Sequence, residues 1–581
     1  MQENQGNTTP DHRPVLWPRT IPPPTIDFAL MSAACQSFVQ RFPEFGFIHQ
    51  PTFFQDLQSG LVPPLKSAAI LALCSGNKDF AQHEDIVDRC ADFARQNIIA
   101  KVLDRPDADT VQTLIILSLY EWGNGRGFQS WMYLGMAIRM GEALISVPAL
   151  SDGEQTFMSR EITCRTLWAC FIMDCILSGG KGRKESFRSE TVPFPLPISD
   201  DEFAFQIQPE GNRKLLSRHA YQSSLAPTAD IGLDNLGSQH YLSIIIQGFD
   251  ISSAVTNWIN GGGRREEPND ASAYPWNESS KWNRMMSALR HWRSGLSPHW
   301  LYSRSNNNMR AFALRNQAAS FAMVNLLYYV TVIFLHREYT PFLPHRVESP
   351  QGPIDPPLLP NTHPQGWWAN SAQSLFHAAV SIVDTVQSLE SNGVKMRTPL
   401  MGFWMYTAAF TLQYGCSWPH MAQESMDMQS KYEWAMSWLR EVNQEWKICN
   451  GWIKTIGSLQ LLYDGIKQDV SRYLTVGRDS FVELEDNVQR LAEVETSPSA
   501  SGEPAHILVA LSQSGLVPPR QPNTHSPQDR IDTAEQDSGW LPLNSQPVPG
   551  ARNDLGYSAL QEIHDPAYSH QTTDNMDEQR I

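Results

Sequence analysis

Apolar residues recur at helical spacing through most of the chain, beginning just after Asp27. Leu30, Ala34, Phe38 and Phe42 lie three or four positions apart and fall on one face of an α-helix. Similar patterns predict further helices at 65–74, 84–103, 111–122, 131–145, 160–178, 240–259, 281–301, 311–337, 371–391, 399–415 and 429–447. No stretch alternates apolar and polar residues with period two, so the predicted fold class is all-α.

The two ends of the chain lack this helical pattern. Residues 1–26 are rich in proline and predict an extended, disordered linker. The last stretch is dominated by Ser, Pro, Gln, Asn, Asp and Glu, which predicts a mostly disordered tail. We therefore divide the chain into a Pro-rich linker (1–26), a large multi-helix domain (27–475) and a polar, acidic tail (476–581).

One short segment of the tail combines acidic and bulky side chains. It contains Asp537, Trp540, Leu541 and Leu543. Two interpretations are open for this segment: it is part of an ordinary disordered tail, or it is an activation segment that folds when it meets a coactivator.

Composition and charge narrow the classes of function. Hydrophobic residues make up 41% of the 581 positions, enough to bury a sizeable core. The 45 Lys and Arg residues face 61 Asp and Glu residues, and a net charge of -16 disfavours nucleic-acid binding by the bulk of the surface. The uncharged stretch 316–335 has polar residues in its first half and favours a buried core helix over a membrane span. We expect no secretion signal, reduced cysteines and no membrane association.

Arginine residues within apolar helices are the main candidates for a site. Arg139 and Arg165 each need carboxylate or carbonyl partners if they are buried. The nearest acidic residues along the sequence are Glu121, Glu142, Glu161 and Asp174. Two interpretations remain open for one group of residues: a structural ion-pair network, or a pocket for an anionic metabolite. The group consists of Arg126, Arg139, Arg165, Asp174 and Arg183.

Catalytic and metal-binding motifs are not apparent in the sequence. His49 and His336 have no partner at the spacing of a metal site or a catalytic triad, so we expect hydrogen-bonded structural histidines. The glycines from Gly123 to Gly127 lack the spacing of a phosphate-binding loop and predict a tight connection between two helices. We predict that the chain is not an enzyme. A helical metabolic enzyme with a site between helices remains the alternative from another class.

Four segments together carry a resemblance to a known family. They are Phe47-Ile48-His49-Gln50-Pro51-Thr52-Phe53; the helix pair 110–145; residues 160–197; and the helical stretches 326–337 and 399–410. Together they resemble the fungal-specific transcription factor domain, or middle homology region, of zinc-cluster transcription factors. At one position the chain departs from the pattern, because Lys184 follows Arg183 where the family commonly has proline.

The resemblance implies a function and a set of partners. It implies a nuclear regulator of genes transcribed by RNA polymerase II, acting through its helical domain on a metabolic or biosynthetic pathway. The implied partners are the transcription machinery or coregulators, and a homodimer or heterodimer is compatible with the family. The family usually reads DNA through six closely spaced cysteines that bind two zinc ions next to a basic stretch.

No such cysteine cluster is visible in this sequence, whose first cysteine is Cys35. We therefore expect no cofactor in this chain, with zinc only if a missing N-terminal cluster exists, and DNA contact only through a module not seen here. Two explanations stay open. The gene model has lost an upstream exon, or the protein is a finger-less partner or corepressor of a DNA-binding regulator.

Overall fold

The computed structural model describes most of the chain between residues 22 and 468. The described ranges are 22–74, 83–146, 156–178, 185–187, 195–209, 240–266, 271–344, 347–354, 357–422 and 427–468. All of them belong to the first of two units, Met1–Pro519; the second unit, Arg520–Ile581, contains none. The described ranges hold sixteen α-helices and no β-strand, which confirms the predicted all-α class.

The helices occupy the following positions in chain order. They are α1 (Phe28–Arg41), α2 (Gln50–Gln58), α3 (Pro64–Cys74), α4 (Glu84–Val102), α5 (Ala108–Gly123), α6 (Gly127–Ser146), α7 (Phe157–Ser178), α8 (Asp200–Ala204), α9 (Tyr241–Asn260), α10 (Lys281–Ser294), α11 (Asn308–Leu314), α12 (Ala318–Arg337), α13 (Trp367–Ser391), α14 (Pro399–Ser417), α15 (Met428–Val442) and α16 (Ile448–Gln468).

Several helices begin where a polar side chain caps the first turn. Helices α1, α5, α10 and α14 follow Asp27, Asp107, Ser280 and Thr398, and each of these side chains accepts a hydrogen bond from a backbone N–H of the first turn. Such a cap satisfies a donor that the helix cannot satisfy itself and contributes about 1 kcal/mol. The starts of these helices are therefore encoded locally.

Three helices, α5, α12 and α14, are buried on nearly every face and form the centre of the core. Helix α5 packs against α6, α12 against α13, and α14 against α15. Helix α9 contacts both α7 and α12, and α5 contacts α14, so the first and second halves of the fold share one core.

Helix α12 is the one helix in the described ranges that is long and apolar enough to cross a membrane. However, 89% of its most apolar window is buried inside the protein. This is the pattern of a core helix, as the sequence indicated.

The structure corrects four of the predicted element boundaries. The aromatic segment around Phe53, where no helix was predicted, forms helix α2, and Pro51 lies in its first turn, where the missing N–H costs no hydrogen bond. The predicted helix 311–337 is interrupted at Asn316, which adopts a φ of 57°. The predicted helix 281–301 ends at Ser294, before Gly295, and helix α16 was not predicted as a separate element.

Candidate functional site

Arg165, on α7, is 2% exposed and is the centre of a hydrogen-bond network. Its Nε donates to Glu161 at 3.0 Å, its Nη1 donates to the Gly46 carbonyl at 2.8 Å, and its Nη2 donates to the Ile198 carbonyl at 2.7 Å. The Asp200 carboxylate also accepts from Nη1, at 3.1 Å. Arg165 therefore ties α7 to the segment before α2 and to the start of α8.

A second network surrounds Glu121, which is completely buried near the end of α5. Arg95 donates to one carboxylate oxygen at 2.6 Å, and Arg126 pairs with the other. Both guanidinium groups also lie over the Tyr120 ring, within 5.3 and 5.8 Å of its centroid. Each carboxylate oxygen of Glu121 is paired with a guanidinium group, and this pairing offsets the free-energy cost of burying the carboxylate charge.

Arg139 and Asp174 line the same cavity, which has a volume of about 450 Å³. The walls are mostly apolar and include Trp131 and Met132, both partly exposed. The Arg139 side chain is 83% exposed and pairs with Glu142, so its charge lies at the surface.

Asp174 is held in a different way from the arginines. Its carboxylate accepts hydrogen bonds from the backbone N–H groups of Ser186 and Phe187, both at 2.7 Å, and from the Ser178 hydroxyl at 3.3 Å. Burial raises the pKa of this carboxyl to about 6, and the two amide hydrogen bonds oppose that rise. Asp174 thus anchors residues 186–187 to α7, with no arginine partner in the described part of the chain.

The structure therefore separates the residues that the sequence grouped together. Arg126 and Arg165 belong to two different ion-pair networks, whereas Arg139 and Asp174 share a cavity. Arg183 lies outside the described residues, as do Asp537, Trp540, Leu541 and Leu543 of the tail. The effector pocket and the activation segment stay predictions.

Within the described ranges the histidines and cysteines show no arrangement typical of metal or catalytic chemistry. His49 bonds to Thr52 and the Ala204 carbonyl, and His336 bonds to Ser371, which confirms the expected hydrogen-bonded structural role. No disulfide joins any of the eight cysteines, and burial raises the pKa of Cys35 to about 12. In the described ranges no group of three or more His, Cys, Asp and Glu residues could hold a metal ion.

One polar cluster was missed by sequence reasoning because its members are far apart in the chain. Arg41, at the end of α1, donates from Nη2 to the Arg397 carbonyl at 2.5 Å and to Glu445 at 3.2 Å. Arg397 in turn donates to Glu441 at 2.6 Å. Arg397 and Glu445 lie 356 and 404 positions from Arg41 in the sequence. A local sequence pattern therefore does not predict these contacts.

Comparison with known proteins finds a match to a family model in the first half of this fold. Residues 36–293 match the model described as the fungal specific transcription factor domain. Three of the four segments that carried the resemblance lie inside this match. The stretches 326–337 and 399–410 lie beyond its end.

The similar curated proteins are fungal regulators. A transcriptional regulatory protein of Schizosaccharomyces pombe is 27% identical over 321 residues, which cover 50% of this chain and 30% of that protein. The Zn(2)-C6 fungal-type transcription factor FTF1c of Fusarium oxysporum f. sp. lycopersici is 31% identical over 175 residues, or 27% of this chain and 18% of that protein. A further S. pombe transcriptional regulatory protein is 23% identical over 330 residues, which cover 52% of this chain and 45% of that protein. The match covers less than half of each relative's own length.

Proposed function

Because this chain contains a fungal specific transcription factor domain, we propose that the protein regulates transcription of genes read by RNA polymerase II. The proposal extends to a nuclear location and to control of a metabolic or biosynthetic pathway. The match over residues 36–293 is the observation that carries it, and the names of the relatives support it.

The described fold supports a regulatory role for the helical domain. The Arg165 and Glu121 networks use their charges to hold helices together, which suits a scaffold. The tail, which begins after the described helices, is the part that we propose to contact coregulators or the transcription machinery.

We propose that the protein contacts DNA only through a module or a partner outside the described residues. The net charge of -16 opposes binding of DNA by the surface as a whole. We therefore propose that the described domain itself needs no zinc. A finger-less partner of a DNA-binding regulator is the second form of the same proposal.

A tethering experiment tests the regulatory function directly. The full chain, fused to a heterologous DNA-binding domain, should activate or repress a reporter gene in a fungal host. The DNA-binding domain alone is the control, at matched protein level. No change of reporter output under several carbon and nitrogen sources would contradict the proposal.

A matched tail variant locates the activity within the chain. Replacing Trp540, Leu541 and Leu543 together by alanine should remove activation if this segment contacts a coactivator. The Asp537→Asn variant alters charge alone and should give a smaller loss. If the triple variant keeps full activity, the activation segment lies elsewhere, whereas the regulatory function itself stands.

The two forms of the proposal differ in how the protein reaches a promoter. The untethered chain should occupy promoters on its own if it carries a DNA-reading module, and only through another regulator if it is finger-less. Chromatin immunoprecipitation of the tagged native protein, followed by identification of co-purified regulators, separates these two outcomes.

A further inference from the structure

One face of helix α6 exposes large apolar side chains to solvent. Phe128 is 67% exposed, and Trp131 and Met132 are each 44% exposed. Gly135 follows on the same face, because positions three or four apart in a helix lie above one another. These four residues form what we call the α6 stripe. The other side of the helix is buried in the core, so the stripe is a free face of a firmly held element.

The end of helix α4 continues this apolar surface. Val102 and Pro106 line the cavity of about 450 Å³ together with Trp131, Met132 and Gly135 of the α6 stripe. Beside them, Ile99 shares a helix face with Val102, and the adjacent Leu103 is 82% exposed. A contiguous apolar patch of this kind on a soluble protein marks an interaction surface.

Gly135 gives an independent indication that another molecule approaches α6. Glycine inside a helix is less stable than alanine, so its presence there needs a reason. A Cβ built on Gly141 of the same helix would lie 2.8 Å from Leu167, which explains that glycine. A Cβ built on Gly135 meets no atom within 4 Å. The reason for Gly135 therefore lies outside the packing of a single chain.

The α6 stripe is complementary to itself when two copies of the helix pack antiparallel. If the twofold axis passes between Trp131 and Met132, these two residues face each other across it. Phe128 then lies opposite Gly135 of the partner subunit, because both are equally far from the axis along the helix. A cavity of about 150 Å³ already holds benzene, so the cavity beside Gly135 has room for the Phe128 ring.

The area of the patch fits the apolar core of a dimer interface. The exposed fractions of Ile99, Leu103, Phe128, Trp131 and Met132 amount to on the order of 500 Å² per copy, at about 200 Å² for a large side chain. An interface of standard size buries about 800 Å² per partner, of which about 60% is apolar. The patch therefore supplies the apolar part of such an interface.

Charges beside the patch favour a second copy over a charged partner. Arg139 pairs with Glu142, and Lys101 pairs with Asp104 at 3.8 Å. Because the charges offset within each pair, two copies do not repel each other strongly at this surface, although the whole chain carries a net charge of -16. An acidic peptide or an anionic membrane would gain little attraction from these balanced pairs.

We propose that the protein forms a homodimer through the α6 stripe, with Phe128 of each copy inserted into the cavity beside Gly135 of the other. Ile99 and Leu103 lie at the margin of this interface. The cavity is complete only when the second copy is present. The proposal concerns assembly and stands independently of the regulatory function, so either can fail without the other.

Sedimentation velocity of the purified full chain tests the assembly. Over a wide range of protein concentration we expect a reversible equilibrium between monomer and dimer. A chain that stays monomeric at every concentration would overturn the proposal, even if it bound a different protein through the same patch.

Two substitutions in the α6 stripe place the contact. Phe128→Gln removes the inserted ring from both copies and should raise the dimer dissociation constant by at least about tenfold. Gly135→Gln adds a side chain into space that is open in one chain and is filled by the partner's Phe128, so it should raise this constant similarly. Circular dichroism of both variants shows whether the helical fold is retained.

Phe205→Gln is the matched control for the aromatic substitution. Phe205 is 75% exposed and lies just after α8, outside the patch. Its replacement should leave the dissociation constant unchanged. A folded Phe128→Gln variant that dimerises as tightly as Phe205→Gln would overturn the proposal.

Thiol cross-linking locates the twofold axis. Met132 lies next to the proposed axis, so Met132→Cys places two thiols side by side, and a short bismaleimide that adds to both should yield a covalent dimer. Leu314→Cys introduces an equally accessible thiol at the end of α11 and should not cross-link. The natural protein measures the background from its own cysteines. Equal cross-linking of the two variants would overturn the proposed arrangement.

Discussion

Arg165 and Arg41 are both buried arginines at helix positions, yet their surroundings differ. Every nitrogen of Arg165 donates to an acceptor from the protein, and its guanidinium carbon lies 4.0 Å from the centroid of the Phe203 ring. Arg41 uses only Nη2, and the same side chain lines an open cavity. The difference separates an arginine whose donors the protein satisfies from one that keeps two buried nitrogens unpaired among the described residues.

This comparison shows that burial alone does not reveal the role of a charged residue. The number of donors that the protein itself satisfies is the more informative quantity. The Arg165 region is a closed network, whereas the region around Arg41 and Arg397 is an open one.

Removal of Arg165 should have the largest effect on stability. Arg165→Met leaves Glu161, which is 1% exposed, without its cation and should lower the free energy of unfolding by about 3–5 kcal/mol. Urea unfolding of the full chain, followed by tryptophan fluorescence, measures this loss. Arg165→Lys keeps the charge without the planar fork, so an intermediate loss is expected. A loss below about 1 kcal/mol would show that the network is not a closed structural unit.

Glu44 is a buried acidic residue beside the closed network. It lies two residues before Gly46, whose carbonyl accepts a hydrogen bond from Arg165. It is 1% exposed, and no other described residue donates to its carboxylate. Burial raises its pKa from the ordinary 4.5 to about 8. Between these two pH values the folded protein retains a proton that the unfolded chain loses, so stability falls as pH rises, by about 1.4 kcal/mol per pH unit.

The Glu44→Gln variant removes this proton linkage. It should therefore be more stable than the natural protein at pH 7, by about 3 kcal/mol, and should lose most of this advantage near pH 4.5. Unfolding free energies measured at pH 4.5, 6, 7 and 8 give the two profiles. Parallel profiles would mean that Glu44 gains a partner or water on ionisation, and that this region is less closed than the contacts indicate.

Gly123 connects the buried core to the open region. A Cβ at this position would lie 2.7 Å from Cγ of Pro399 and would overlap the Trp446 ring. Trp446 donates at 3.0 Å to the Arg397 carbonyl, which also accepts from Arg41. Gly123→Ala should therefore lower stability by about 1–3 kcal/mol through overpacking and disturb the Arg41 contact.

Gly135 on α6 provides the matched control for this substitution. No atom lies within 4 Å of a Cβ built there, so Gly135→Ala should stabilise the helix by about 0.5–1 kcal/mol. Equal effects of the two alanine variants would contradict the close packing at Gly123. Thermal unfolding of both proteins provides the measurement.

The smallest effect is expected at Arg139. Its side chain is 83% exposed and its ion pair with Glu142 is a surface i, i+3 pair. Arg139→Gln should change the free energy of unfolding by less than about 0.5 kcal/mol. A larger loss in urea unfolding would indicate that exposure underestimates the role of this arginine in the neighbouring cavity.

Much of the fold was predictable because its information is local. Apolar periodicity gave most of the helices, and the glycines between Gly123 and Gly127 correctly indicated the connection of α5 and α6. The exceptions have local causes as well. The short helix α2 was not predicted, although Pro51 is favourable in the first turn of a helix.

The polar contacts were predictable only where the partners are close in sequence. Pairs such as Arg165 with Glu161, and Arg139 with Glu142, follow from helical spacing. The contacts of Arg165 with Gly46 and of Arg41 with Glu445 depend on tertiary packing, which single-residue patterns do not encode. The cavity lined by Arg41 and Arg397 was therefore not visible in the sequence.

The long separation between Arg41 and Glu445 affects how the protein is made. Translation proceeds at roughly 5–20 residues per second, so α1 leaves the ribosome on the order of 20–80 s before its distant partner is synthesised. During that time the buried face of α1, with Leu30 and Phe38, lacks part of its final packing, and we expect chaperones to bind it. We therefore expect the supply of chaperones, as well as the sequence, to affect how much folded protein a cell accumulates.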